Sequence, residues 1–151
     1  MIGRFLGAKG VREYVEAARI IRAQRQGVFF DLVGWIDDNP DAIAKDELND
    51  WIACGIINYV GRLDDVRPAI ANASVFVLPS YREGTPRTVL EAMSMGRAVI
   101  TTDAPGCKET VVSGENGFLI PVASVDDLVG AMIRFLTTRA LLKRWAVKLE
   151  I

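Results

Sequence analysis

The sequence predicts an α/β domain in three layers, with a mainly parallel six-stranded sheet and helices on both faces. Three observations carry this. Short apolar runs alternate with helix-period segments six times along the 151 residues, the connections between them are short, and several runs end in glycine or proline, where a strand should leave a sheet. No internal repeat, low-complexity tract or linker breaks the pattern, so residues 1–151 read as one domain.

Met1-Ile-Gly-Arg-Phe5 reads as the end of a strand whose beginning is absent, as in a chain cut from something longer. Lys9-Gly10 opens a helix in which Val11, Tyr14, Val15, Ala18 and Ile21 recur at helical spacing to about Arg25. Val28 to Gly34 is a second buried strand, and Trp35 to Lys45 a polar loop holding Pro40. Asp46 to Cys54 is a short helix with Leu48, Trp51 and Ile52 inward. Ile56 to Val60 is a third strand and Asp65 to Ala73 a third helix.

The stretch from Val75 to Glu109 organises the rest. Val75-Phe-Val-Leu-Pro79 is an apolar strand ending in proline; Thr85 can cap the helix that follows, with Pro86 at its first position, and Gly96 closes it before the strand Ala98 to Thr102. A short helix is expected around Lys108 to Val112, and a last strand from Gly117 to Ile120. Ser124-Val-Asp-Asp127 resembles a capping box that starts a helix to about Phe135, and Arg139 to Leu149 forms a final one. Ligands of such sheets bind beyond the carboxyl ends of the strands, so the loops at Arg4, Gly34, Gly61, Glu83 and Gly106 should line one crevice.

The totals exclude several functions. Half the residues are apolar and a quarter charged, and the net charge of −1 lacks the basic excess a nucleic-acid binder needs. There is no run of about 18 apolar residues and no signal-peptide layout at the start, which makes the cytoplasm the default location. Without histidine, and with Cys54 and Cys107 outside any C-x-x-C spacing, neither a zinc site nor a Ser-His-Asp triad can be assembled.

Two glutamates lie across the central loop, with seven residues between them. On one helix they would stand roughly 80° apart, so Glu83 is read as hanging from the loop and Glu91 as projecting from the second helical turn. A carboxylate in the apolar stretch around Glu91 should have a partner. The helix N-terminus between them offers free N–H groups and a positive dipole, which suit phosphate. Arg4 and Lys9 flank the first strand–helix connection and could add two cations over the crevice, or stand as solvated loop residues.

The pattern E-G-x-x-x-x-x-L-E-A-M-x-x-G-x-x-V-I-x-T from Glu83 to Thr102, followed by Gly106, Glu109 and Gly114-Glu-Asn-Gly117-Phe-Leu-Ile-Pro121, resembles the donor-binding half of retaining glycosyltransferases of family four. That resemblance implies a Rossmann-like domain, the C-terminal half of a GT-B fold, whose N-terminal acceptor domain lies outside this sequence. It implies retaining transfer of a sugar from a nucleoside diphosphate, with UDP the expected carrier, to a glycan or lipid-linked acceptor reached through the other domain. Arg4 and Lys9 would neutralise the donor's diphosphate, so that no metal or other cofactor is needed; no D-x-D signature occurs. Glu83 would lie by the donor sugar, orienting it without acting as a nucleophile, and Glu91 would accept hydrogen bonds from the ribose hydroxyls.

Gly84, Thr85, Arg87 and Thr88 count with the donor-binding residues, as do Gly34 and the Gly61-Arg62-Leu63 segment expected to hold the base. Thr85-Pro86-Arg87 departs from the commoner family form, in which an aromatic residue and a second glycine follow E-G. Arg87 could contact donor or acceptor phosphate, or pair with Glu83 or Asp103. This variant, with Pro105-Gly-Cys107, points by resemblance to polysaccharide or lipid-linked oligosaccharide synthesis, often from N-acetylated sugars. Trp35, Trp51 and Trp145 read as packing rather than as sugar platforms. The basic residues Arg139, Lys143, Arg144 and Lys148 form a solvated face, or else touch the other domain or an anionic membrane surface at the inner face. A nucleotide-sugar epimerase of the same architecture and a non-catalytic nucleotide-binding module are the alternatives.

Overall fold

A computed structural model of the chain describes residues 1–138, 140 and 141. The expected final helix at Arg139 to Leu149, with Trp145 and the basic residues Lys143, Arg144 and Lys148, lies outside the described residues. The elements are β1 (Ile2–Arg4), a 3-10 turn (Gly7–Lys9), α1 (Val11–Gln24), β2 (Asp31–Trp35), α2 (Lys45–Ala53), β3 (Asn58–Gly61), α3 (Arg67–Asn72), β4 (Val75–Leu78), α4 (Arg87–Ser94), β5 (Ala98–Thr102), β6 (Gly117–Ile120) and α5 (Val125–Thr137). Every strand pair is parallel. The expected single sheet is drawn as two ladders, β1-β2-β3 and β4-β5-β6.

The two ladders share one continuous apolar core, in which Phe5, Leu32 and Val33 of the first half pack with Val77, Val99, Ile100 and Phe118 of the second. Helix α1 buries Val11, Tyr14, Val15, Ala18 and Ile21 and lies against α5, which buries Leu128, Ala131, Met132 and Phe135. Each fully buried aliphatic or aromatic side chain contributes about 1.5–3 kcal/mol. Ser124 caps α5, its hydroxyl accepting from the Asp127 amide at 3.3 Å and donating to the Asp127 carboxylate at 2.5 Å. Among the described residues no helix is long and apolar enough to cross a membrane.

Several local expectations are corrected. Strand β2 starts at Asp31 rather than Val28, which leaves Phe29 exposed, and β3 starts at Asn58. Ile52 faces solvent in α2, and the buried isoleucine of that region is Ile43 in the loop before it. Helix α3 begins at Arg67 because the Asp65 carboxylate accepts the Arg67 amide at 3.0 Å. Thr85 does not cap α4. Pro86, with φ −77° and ψ 80°, stands outside the helix, and Thr85 serves only as a carbonyl acceptor for the Arg87 amide at 2.9 Å. Because Pro86 itself stays non-helical, the helix starts one residue too late for the Thr85 side chain to reach its first turn. The expected helix at Lys108 to Val112 is a set of turns, closed when the Asn116 side chain accepts the Val112 amide at 2.9 Å.

The ladders meet where β1 and β4 end. The Tyr81 amide donates to the Ala8 carbonyl at 2.8 Å, and the buried Ser80 hydroxyl lies 3.2 Å from the same oxygen. Gly10 (φ 74°) presses its backbone on this junction: a Cβ there would stand 2.1 Å from the Pro79 carbonyl oxygen. The Thr102 hydroxyl bonds the Ser80 carbonyl, so β5 holds the same point from the other side.

Two outcomes follow from this packing. Gly10→Ala is expected to cost about 3 kcal/mol or more in urea unfolding, from backbone strain and overlap with Pro79. Gly27→Ala, with the same sign of φ and open space around it, should cost about 1 kcal/mol. Tyr14 is fully buried with its hydroxyl donating to the Asp31 carbonyl at 2.9 Å, and burial raises its pKa far above the usual 10. A phenol whose folded pKa is raised contributes stability that is present below pH 10 and lost as the pH climbs above it. Melting temperature should therefore fall between pH 10 and 11.5 more steeply in the parent chain than in Tyr14→Phe.

Candidate functional site

The loops at the carboxyl ends of β1, β4 and β5 converge on one pair of side chains. Lys9 closes the 3-10 turn after β1, and its ammonium donates to Glu83 Oε1 at 2.5 Å. Glu83 hangs from the β4–α4 loop. Its amide donates to the Pro105 carbonyl at 3.0 Å, and a Cβ on Gly106 (φ 84°) would stand 2.0 Å from the Glu83 carbonyl oxygen. The main chain of Glu83 is thus clamped against the connection that leaves β5. Its carboxylate is 10% exposed and the Lys9 side chain 21%, so the pair is mostly withdrawn from water yet reachable from it.

The other expected residues separate into distinct environments. Arg4 is half exposed and donates to Asp37 at 2.7 Å, across the mouth of β1 and β2. Arg62 stacks its guanidinium 4.3 Å above the centroid of the Trp35 ring, which makes Trp35 a rim residue beneath a cation, while Trp51 is buried in the core. Leu63 packs partly buried against the core. Gly34 is not a turn glycine: it lies inside β2 with φ 144°, where a Cβ would stand 1.8 Å from the Gly3 carbonyl oxygen and 2.9 Å from the Phe5 ring. The close approach it allows is between β1 and β2, and its own carbonyl accepts from the Tyr59 hydroxyl at 3.2 Å.

Glu91 corrects the expectation of a buried, paired carboxylate. It is exposed, and no hydrogen bond to its carboxylate forms among the described residues; the charge of Arg67 is within its electrostatic reach. Helix geometry explains the difference, because α4 buries Val89 and Ala92, and Glu91 points about 200° away from Val89. Gly84, Thr85 and Arg87 are exposed and Thr88 is half-buried. Arg87 pairs with neither Glu83, whose carboxylate is taken by Lys9, nor Asp103. The first turn of α4 has no side-chain cap, and its Arg87 and Val89 amides bond the Thr85 and Pro86 carbonyls at 2.9 and 3.0 Å.

Sequence reasoning missed the partners of these groups. Asp37, Ser80, Thr102 and the Tyr81–Glu13 bond all lie in segments remote from the residues they hold, and nothing in their local spacing marks them. The β4-terminal Pro79-Ser80 was the available signal for Ser80, since a small hydroxyl after a buried strand needs a carbonyl partner if the loop is to be buried.

A family model described as "Glycosyl transferases group 1" matches residues 1–138. The chain belongs to the group 1 glycosyltransferases. Among its curated relatives is the N,N'-diacetylbacillosaminyl-diphospho-undecaprenol alpha-1,3-N-acetylgalactosaminyltransferase of Campylobacter jejuni, 36% identical over 128 residues that cover 85% of this chain and 32% of that protein. Another is the lipopolysaccharide core biosynthesis glycosyltransferase LpsE of Rhizobium meliloti, 28% identical, with 96% of this chain and 41% of the relative covered. The chain thus spans about a third to two fifths of these relatives.

Solved structures agree on the fold. The C-terminal domain of the group 1 glycosyltransferase LpcC from Francisella tularensis superposes with a TM-score of 0.82 at 24% identity, over 96% of this chain and 78% of that one. Anabaena HepE in complex with UDP superposes at 0.83 with 23% identity, over 99% and 42%. The fold is that of the C-terminal domain of a GT-B glycosyltransferase.

In this glycosyltransferase domain the Lys9–Glu83 pair can be tested directly. Because both groups are mostly buried, removing either charge leaves the other short of a partner. Lys9→Met and Glu83→Gln should each destabilise by roughly 1–3 kcal/mol in urea titration, and the double variant by clearly less than their sum. Additive losses would mean that the two side chains do not act on one another.

Proposed function

We propose that the chain is the donor-binding domain of a retaining glycosyltransferase that moves a hexose or an N-acetylhexosamine from UDP to a glycan or lipid-linked acceptor in polysaccharide assembly. The observation that carries this reading is the Lys9–Glu83 contact at the shared mouth of β1, β4 and β5, one cation and one carboxylate held against each other beside an uncapped helix end. A diphosphate arriving there takes Lys9 from Glu83, and the released carboxylate is free to bind sugar hydroxyls. Arg4 and the positive end of the α4 dipole add positive potential where charge grows on the departing diphosphate, an effect worth ~3–4 kcal/mol for a well-placed donor, and this replaces a metal ion. Glu91, exposed on α4, is available to the ribose hydroxyls, and Arg62 over Trp35 to the base.

Names and titles of the similar proteins support the same reading. Anabaena HepE is described in complex with UDP and with UDP-glucose, and a pneumococcal O-GlcNAc transferase with UDP and GlcNAc. The Campylobacter relative is named as an alpha-N-acetylgalactosaminyltransferase acting on an undecaprenol diphosphate, which supports a lipid-linked acceptor. The Campylobacter and pneumococcal proteins are named as transferases, which favours transfer over epimerisation.

A thermal-shift titration with UDP, GDP, ADP and their sugar conjugates tests the proposal. UDP at about a hundred times its dissociation constant should add roughly 2.7 kcal/mol, several degrees for a domain of this size, and Lys9→Met should reduce that shift. A shift with GDP or ADP alone would overturn the choice of carrier. The 151 residues by themselves should transfer no sugar, because the acceptor site is assigned to the other domain; turnover by this chain would overturn that assignment.

A further inference from the structure

Two residues outside the donor site are joined in a way that stability does not explain. Glu13, in the first turn of α1, accepts a hydrogen bond from the Tyr81 hydroxyl, while its second oxygen, Oε2, is buried without a partner. The nearby cation does not satisfy it: Arg12 gives its guanidinium to Glu47 at 2.7 and 3.0 Å. Asp41, which borders the same cavity of about 280 Å³, is held by the Ala8 amide at 2.7 Å. A buried oxygen with no donor is costly, so a neutral side chain would serve stability better at this position. What the carboxylate provides is a strong, directional acceptor for one phenol. The Glu13 carboxylate that accepts this bond holds the Tyr81 pKa up at about 12.

Tyr81 is two residues from Glu83. The strip from Ser80 to Glu83 is fastened by its main chain at Ala8 and at Pro105, at Ser80 by its own hydroxyl to Ala8 and by the Thr102 hydroxyl, and beyond Ser80 by two side-chain bonds, Tyr81 to Glu13 and Lys9 to Glu83. In the donor-binding reading given above, on which this inference rests, the diphosphate removes Lys9 from Glu83. The Tyr81–Glu13 bond is then the side-chain fastening that remains beyond Ser80, on the part of the strip next to Glu83. We propose that Glu13 and Tyr81 are a positioning pair, which holds the Ser80–Glu83 strip in place so that the Glu83 carboxylate meets the donor sugar preorganised after Lys9 has left it.

The test uses Tyr81→Phe, which removes only the hydroxyl, Glu13→Leu, which removes the acceptor, and Glu13→Gln, which keeps one. Amide hydrogen exchange without nucleotide should be at least about tenfold faster at Tyr81 and Glu83 in the first two variants, unchanged in the core of α1, and within about twofold of the parent in Glu13→Gln. Unchanged exchange at both amides in both variants overturns the proposal. Calorimetric dissociation constants for UDP and UDP-N-acetylgalactosamine form the second arm. The affinity that the sugar adds should fall about fivefold or more in Tyr81→Phe, with UDP itself altered less than about twofold; equal loss for both ligands marks a merely structural bond and overturns the proposal. If the parent chain gains nothing from the sugar, the donor-site reading falls and the exchange arm alone decides.

Discussion

The junction at Ala8, Gly10, Pro79 and Ser80 is the constraint on which this domain depends. Two three-stranded ladders need a common edge, and here β1 and β4 are tied through the loops at their carboxyl ends. Gly10 must lack a side chain for α1 to start against Pro79, and Ser80 must be small and hydroxylated to sit buried beneath Ala8. From that point the residues of the candidate site are placed. Lys9 is the residue before the glycine, Tyr81 and Glu83 follow the serine, and β5 braces the same serine through Thr102.

The same economy governs charge. Arg4 is matched by Asp37, Lys9 by Glu83 and Arg12 by Glu47, so several of the cations in these elements rest on a carboxylate. A ligand with two phosphates can compete for such cations because it carries more charge than one carboxylate and makes more hydrogen bonds. Lys9 suits this exchange: an ammonium on a flexible stem can turn from one anion to another, whereas the Arg12–Glu47 fork, bonded through two nitrogens, is better built to stay. Burial of Glu83 strengthens the pair it makes now and would strengthen any bond it later makes to a sugar hydroxyl.

Much of the fold was legible in the sequence because it rests on periodicity and punctuation. Strands β4, β5 and β6 begin where their apolar runs begin, α1 carries its buried residues at helical spacing, and Ser124 caps α5 as its spacing predicts. The failures share one cause, which is that local pattern does not report the neighbour. Ile52 reads as inward but faces solvent while the loop residue Ile43 is buried, and Glu91 reads as buried until the rotation of α4 sets it opposite Val89. At Thr85 the cap signal failed because Pro86 itself, with ψ 80°, stays outside the helix.

The sequence by itself determined the class of fold, the family and the Glu83 to Thr102 pattern on which the family rests, because hydrophobic period and glycine positions are properties of the chain. Only the tertiary structure decided which groups touch: Lys9 with Glu83 across 74 residues, Arg62 over Trp35, Tyr81 with Glu13. Those contacts join separate strand ends, and their geometry is fixed by how α1, β4 and β5 pack. No spacing along the chain encodes a distance of that kind.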